Sequence, residues 1–374
     1  MMKKILHISK YYYPFVGGTE GVCQYIAEAF PEYENRVICF NDGTDTIGSE
    51  VNGIQILRVG CFGKIASQSL SFSYYGELRH MIELWSPDLI LFHHPNPLVA
   101  WYLLMVLPAK TKLLLHWHLD ITKQKYIYPL VKPTETALLK RAHVIFVTSP
   151  NYRDASKVLE PYLNKVVVIP NTIDTSRLAL TKEEEIEVMK VKQKYDNKKI
   201  IFFVGRHVEY KGLQYLLDAE KYIKEECRIL IAGSGPLTKQ LKGLCVSERI
   251  MFLGRISDLQ LKYHLYAADI FAFPSITKNE AFGLALAEAM YCRCVPVTFT
   301  IKGSGVNWVN LDRVTGLEVE NSKSLKYAEA IDTLLKDDVL RAHYAENAHN
   351  RVIQNFTMEK VKCSIKHVYD DLGV

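Results

Sequence analysis

Four charged residues in the second half of the chain are spaced for work on a polyanionic ligand rich in hydroxyls. Gly205-Arg206 closes the apolar run KIIFFVG, and Lys211-Gly212 opens a helical stretch shortly after it. Two cations beside the positive end of a helix suit a diphosphate. They would neutralise charge growing on it as a bond breaks, as an oxyanion site does, without a metal ion. The plainer alternative is a solvated loop with ordinary surface charges. Glu280 and Glu288 follow, with seven residues between them. Eight steps turn a helix about 2.2 times, so the two carboxylates do not stack. Phe282-Gly283 marks the helix start, which puts Glu280 in the preceding loop and Glu288 inside the helix. Leu284, Ala285, Leu286, Ala287, Ala289 and Met290 leave Glu288 little polar face, and a carboxylate there needs a partner. The pair can hold two hydroxyl-bearing parts of one elongated ligand.

The elements that must carry these residues repeat one grammar twice. The first half offers short apolar runs at 3–9, 35–40, 54–59, 88–93, 112–118, 143–149 and 166–171, separated by helical or loop segments. The second half restarts at 198–205 and continues through 227–233, 250–254, 269–275 and 295–299, with helices between and three more from about 324 to 371. That alternation implies βαβ units around parallel sheets. The charged stretch 181–199 lacks strand character, so the linker is placed at about 172–180. The expectation is an α/β protein of two doubly wound domains, 1–174 and 175–356, facing a central cleft, with a last helix at about 357–374 packing back on the first. Ligands of such sheets bind at the carboxyl ends of the strands.

Composition narrows the function. The chain of 374 residues carries a formal charge of +5, enough to favour anionic ligands or an anionic membrane face but too scattered for nucleic acid. The opening MMKKILHISKYYYPF lacks the length and cleavage site of a signal peptide, which points to the cytoplasm. LVAWYLLMVLP at 98–108 is about half a membrane span and reads as a buried helix. The cysteines read as free thiols, since no second pair completes Cys292 and Cys294 as a zinc site. His116 and His118 share a strand face, with His93-His94 a candidate neighbour. Zinc needs a third ligand and a carboxylate at defined spacing, and none stands out. GSGPL at 233–237 lacks the third glycine of a dinucleotide fingerprint and reads as a turn.

In order along nearly the whole chain, HISKYYYPFVGGTE, HWHLDI, FVTSPNY, VVVIPNTID, VGRHVEYKG, IAGSGPL, FLGRI, AADIFAFPS, NEAFGLALAEAM and VTGLEVE resemble the retaining glycosyltransferases of family 4, with the GT-B fold. The resemblance implies a nucleotide-diphosphate sugar donor, a UDP-sugar first and GDP-mannose second. It gives Arg206 and Lys211, beside Gly205, the donor diphosphate. Glu280 would meet sugar hydroxyls and Glu288 the ribose, while Phe282, Gly283 and Leu284 would offer backbone N–H groups. Gly17 and Gly18 would let the first-domain loop approach the donor phosphate. His118 falls where the family has a histidine near the reacting sugar, and Tyr13 and Asp120 are candidates on the acceptor side. Leu119, Ala281 and the loop IKGSGV at 301–306 depart from common patterns, which bears on the choice of sugar.

The implied mechanism is front-face substitution without a metal cofactor. The implied acceptor is a glycan or lipid-linked glycan of bacterial O-antigen, capsule or exopolysaccharide synthesis. Lys3, Lys4, Lys10 and Tyr11–Tyr13 either touch the inner membrane leaflet peripherally or pack in the cleft wall. Two other readings remain, a nucleotide-sugar 2-epimerase of the same fold and a non-catalytic sugar-nucleotide-binding protein.

Overall fold

A computed structural model describes residues 2–15, 17–65, 68–121, 128–245 and 247–374. The chain forms two compact units, one of Met1–Thr148, Ser156–Thr172 and Val361–Val374, the other of Ser149–Ala155 and Ile173–Lys360.

The first unit holds β1 (Lys4–Ile8), β2 (Glu34–Phe40), β3 (Ile47–Val51), β4 (Ile54–Val59), β5 (Gly63–Ile65), β6 (Gln68–Leu70), β7 (Leu89–His94), β8 (Lys112–Trp117), β9 (Val144–Val147) and β10 (Val166–Val168). Its main sheet runs β10-β9-β8-β7-β1-β2-β4-β3. Every pair in it is parallel except the edge pair β3–β4. Strands covered on both faces read as unbroken apolar runs, and all six residues of β7 are buried. The sequence missed β3, whose IGSEV is polar and exposed at the edge, and the β5–β6 hairpin.

The second unit holds β11 (Lys199–Val204), β12 (Cys227–Ala232), β13 (Ile250–Gly254), β14 (Ile270–Phe273), β15 (Val295–Phe299) and β16 (Leu317–Val319). All pairs are parallel, in the order β13-β12-β11-β14-β15-β16. Counted in chain order this is the doubly wound arrangement, with its switch between β11 and β14. The first sheet switches in the same way between β1 and β7.

Two details depart from expectation. The sequence places Ser149–Ala155 in the first half, yet its helix Pro150–Ala155 packs on the helix Val306–Val309 of the second unit. The helix Pro97–Val106, expected to be buried, covers only Val99, Ala100 and Leu103. Trp101 and Met105 stay half exposed, because one face meets the fold and the other meets solvent. Among the described residues no helix is long and apolar enough to cross a membrane. The cysteines are free, and Cys363 alone of them is exposed.

The last helix, Met358–Asp371, supplies Val361, Ile365, Val368 and Tyr369 to a core that also contains Ile5, Val22, Leu89 and Leu114. The spacing is that of one helical face. Ile365 is fully buried, so Ile365→Ala is expected to cost about 2–5 kcal/mol. A denaturant midpoint unchanged from the parent would show that this helix is not part of the core.

Candidate functional site

At the switch between β11 and β14, consecutive loops leave the sheet in opposite directions, and a crevice opens at their carboxyl ends. Gly205 and Arg206 follow β11, and a single turn, Glu209–Lys211, leads into the helix Leu213–Ala219. Gly212 joins them with φ +63°, and a Cβ there would lie 2.0 Å from the Pro274 carbonyl oxygen. The loop after β11 therefore rests backbone to backbone on the end of β14.

That approach brings Lys211 to Glu280. The ammonium forms an ion pair with Glu280 Oε2, and each side chain is 12% exposed. The Ser275 hydroxyl donates to the same carboxylate oxygen at 3.2 Å. Lys211 Nζ also lies 5.0 Å from the centre of the Phe273 ring, a cation–π contact. The Glu280 loop is fixed through its backbone. Ser304 Oγ donates to the Glu280 carbonyl, and the Gly305 N–H donates to the Ala281 carbonyl at 3.1 Å. A Cβ on Gly305 would sit 2.1 Å from that oxygen. Arg206 is exposed. Burial raises the phenol pKa of Tyr210, and the charges of Lys211 and Arg206 hold it back.

Gly283, at φ +90°, precedes the helix Leu284–Tyr291, which no side chain caps among the described residues. The Leu286 N–H donates to the Gly283 carbonyl at 3.0 Å, which leaves the N–H groups of Leu284 and Ala285 at the helix start for solvent or an anion. The Phe282 ring is buried against Phe356 and Trp308, so only its backbone can serve a ligand. Leu284 is partly buried. Glu288 lies inside the helix as expected, paired with Arg177. Arg177 Nη1 lies 3.5 Å from Asp258 as well. Burial raises the Glu288 pKa, and Arg177 pulls it back down.

In the first unit the ends of β7 and β8 carry a buried group of imidazoles. His93 and His116 are register partners. His93 Nδ1 lies 3.1 Å from His118 Nε2, and the His116 and His118 rings stack at 4.2 Å. Burial lowers the pKa of His7 to about 4 and of His116 to about 3. It lowers His93 and His118 well below the ordinary value, so all four are neutral near pH 7. His94 stacks on Trp117 at 3.6 Å and meets Glu135 at 3.3 Å.

His93, which the sequence offers with His94 as a candidate neighbour, is the third imidazole of the group. One ring nitrogen each of His93, His116 and His118 lies within 4.8 Å of the others. The His116 and His118 rings, however, are only 19° from parallel. A shared ion must lie in the plane of every ring that binds it, and stacked rings do not provide such a point.

The other first-unit candidates separate. Asp120 Oδ1 accepts from Trp117 Nε1 at 3.0 Å and from Ser156 Oγ at 2.9 Å, so the carboxylate braces the end of β8. Tyr13 is half exposed while Tyr12 is fully buried, which divides the tyrosine run between surface and core. Gly17 is extended, with φ −167°, and a Cβ on Gly18 would meet nothing within 4 Å. Neither glycine is needed for its backbone angles. Gly17 is crowded only by the Glu20 side chain.

Sequence reasoning missed Arg177, Ser275 and Ser304 as members of these sites, and offered His93 only as a neighbour without its contact to His118. Arg177 follows the connection motif PNTID, and Ser304 sits in the Gly-rich loop already singled out, but neither position names its partner.

Residues 16–177 match Glycosyltransferase Family 4, and residues 184–351 match Glycosyl transferases group 1. The O-antigen chain mannosyltransferase C of Escherichia coli is 28% identical, over 99% of this chain and 98% of its own. D-rhamnosyltransferase WbpZ of Pseudomonas aeruginosa is 28% identical, over 95% of this chain and 92% of its own. Among solved structures, sucrose-phosphate synthase of Thermosynechococcus elongatus gives a TM-score of 0.80 at 18% identity, covering 99% of both chains. Anabaena Alr3699/HepE in complex with UDP-glucose gives 0.79 at 18% identity, covering 98% of this chain and 99% of its own. At such identities the likeness is one of fold, and that fold is GT-B.

The buried ion pair makes a direct prediction. Lys211→Met leaves the Glu280 carboxylate desolvated and without its cation, and should cost about 3 kcal/mol. Adding Glu280→Gln should recover part of that loss, with a coupling of about 1–3 kcal/mol in a double-mutant cycle read by urea unfolding. Strict additivity would mean that the two charges do not support each other.

Proposed function

The chain belongs to glycosyltransferase family 4, and from that premise we propose that it transfers a hexosyl or N-acetylhexosaminyl unit from a nucleotide-diphosphate sugar to a growing polysaccharide. The reading includes retention of the anomeric configuration and no metal ion at the diphosphate. One observation carries it. Arg206, Lys211 and Glu280 occupy the loops on either side of the β11/β14 switch, next to an uncapped helix start.

In this reading the donor exchanges partners with the protein. Lys211 turns from Glu280 to the diphosphate, and the freed carboxylate accepts from sugar hydroxyls. Gly205 admits the diphosphate beside Arg206, and the N–H groups around Gly283 and Leu284 hold its oxygens. Glu288, paired with Arg177, accepts from the ribose. As the bond from the anomeric carbon to the diphosphate oxygen breaks, its electron pair leaves with that oxygen, and Arg206 and Lys211 stabilise the charge. The acceptor oxygen bonds to the same face of the carbon, and its proton passes to the departing diphosphate. The family resemblance assigns His118 to the reacting sugar. Tyr13, through its exposed ring, takes the acceptor side, and Asp120 acts through the strand end it braces.

Between the two donors raised by the sequence, GDP-mannose gains support. The relatives matched along the whole chain are a mannosyltransferase and a D-rhamnosyltransferase, and a Corynebacterium glutamicum mannosyltransferase that matches 46% of it is named as GDP-mannose-dependent. The UDP-bound structures speak for the fold alone. A lipid-linked O-antigen-type glycan is the proposed acceptor. The half-exposed Trp101 and Met105 support peripheral contact with the cytoplasmic leaflet.

Arg206→Ala should lower turnover by about 10²–10³-fold without moving the thermal midpoint, because Arg206 is exposed. Near-parental turnover would remove the diphosphate assignment. GDP-mannose should raise the midpoint more than UDP-sugars do, by mass action. Consumption of donor without any acceptor would point to the epimerase reading. Turnover should persist in EDTA and give a product with the donor's anomeric configuration. A requirement for Mg²⁺ or Mn²⁺, or an inverted product, would overturn those parts.

A further inference from the structure

We propose that His93 is a positioning residue that fixes His118 as the Nδ1–H tautomer, so that His118 meets its ligand as a hydrogen-bond donor and not as a base. The claim that this ligand is the donor sugar rests on the proposed function. The tautomer itself does not.

The argument is one of hydrogen-bond accounting. His93 Nδ1 and His118 Nε2 are 3.1 Å apart, and both rings are neutral because burial disfavours their charged forms. A neutral imidazole carries one N–H and one lone pair, so one of the two atoms donates and the other accepts. The remaining nitrogen of His93, Nε2, is buried with no partner among the described residues. Neutral His116, neither of whose ring nitrogens has a partner among the described residues, already buries one orphan N–H, and a proton on His93 Nε2 would add a second beside it. If Nδ1 holds it, the unpaired atom is a lone pair, and buried orphan donors are the rarer and costlier case. The proton of His93 therefore lies on Nδ1 and is donated to His118 Nε2.

That assignment fixes the rest. With its Nε2 lone pair occupied, neutral His118 carries its proton on Nδ1. The surroundings hold the ring in place. The His118 backbone N–H donates to the His94 carbonyl at 3.2 Å, and His116 stacks on the ring at 4.2 Å. Neither nitrogen of His118 then has a free lone pair, so it cannot take the acceptor's proton. The base must be another group, which agrees with a proton leaving on the diphosphate. His118 instead offers an N–H to a hydroxyl oxygen.

The experiment is a long-range ¹H–¹⁵N correlation spectrum of the full-length protein with ¹⁵N-labelled histidine at pH 7, assigned with His118→Gln and His93→Leu. The expected pattern for His118 is a protonated Nδ1 beside a pyridine-type Nε2. A protonated Nε2, or an imidazolium, overturns the proposal. His93→Leu removes the donor and should lower kcat about tenfold with donor KM nearly unchanged. His93→Asn keeps an N–H at the Nδ1 position and should restore most of that loss. Equal loss in both variants overturns the positioning role. Should His93→Leu fail to fold, the parental spectrum still decides the tautomer. If no donor supports transfer while the expected pattern is present, the proposed function falls and the tautomer stands.

Discussion

Lys211 and Glu280 are two charges taken out of most of their water, and such desolvation is tolerable only while they face one another. They come from loops on opposite sides of a strand-order switch. Their pairing therefore requires that the loops after β11 and β14 meet, and much of the local backbone serves that demand. Gly212 supplies the left-handed turn and the lack of a side chain that let one loop lie on the Pro274 carbonyl. Gly305 and Ser304 bind the other loop from behind, through the carbonyls of Ala281 and Glu280. A charged pair held in this way is poised for a ligand bearing its own charge and hydroxyls, since each partner can be released only to an equivalent one.

How far the sequence could lead is set by the range of each signal. Glu280 before the helix and Glu288 within it were legible, because a glycine and an apolar helical run are local. Their partners were not. Arg177 lies 111 residues from Glu288, and Lys211 lies 69 from Glu280, so nothing local links them. The partner of Glu288 is a side chain of the protein itself, so its apolar setting alone did not demand a ligand. His93 shows the intermediate case. His116 and His118 were legible as one face of a strand, but the neighbour depends on the β7–β8 register, which exists only once the sheet has formed. Among the strands, buried apolar runs were readable, while polar β3 and short β16 draw their identity from pairing.

The two units share an order of strands and differ in what they place at the carboxyl ends. The second unit places Arg206, Lys211, Glu280 and, on its helix, Glu288 with Arg177. The first places His93, His116 and His118, with His94 and Glu135 beside them. Burial keeps the first three neutral, whereas at the second sheet Lys211 and Glu288 are each paired with an opposite charge and Arg206 is exposed. The difference follows from residue type and pairing, since Lys211, Glu280 and Glu288 are also largely enclosed but each faces an opposite charge, whereas the imidazoles face one another.

That division has a chemical consequence for glycosyl transfer. In the proposed reaction, negative charge gathers on the departing diphosphate while positive charge gathers on the anomeric carbon. Cations serve the first and would oppose the second. A histidine near the sugar is therefore useful only if it stays uncharged, and its burial among other neutral imidazoles secures that state across the working pH range. Packing like groups together, which would be costly for charged rings, here makes protonation of any one of them harder. A cluster that stays neutral would suit the proposed reaction wherever a histidine serves the sugar, because it adds no positive charge of its own.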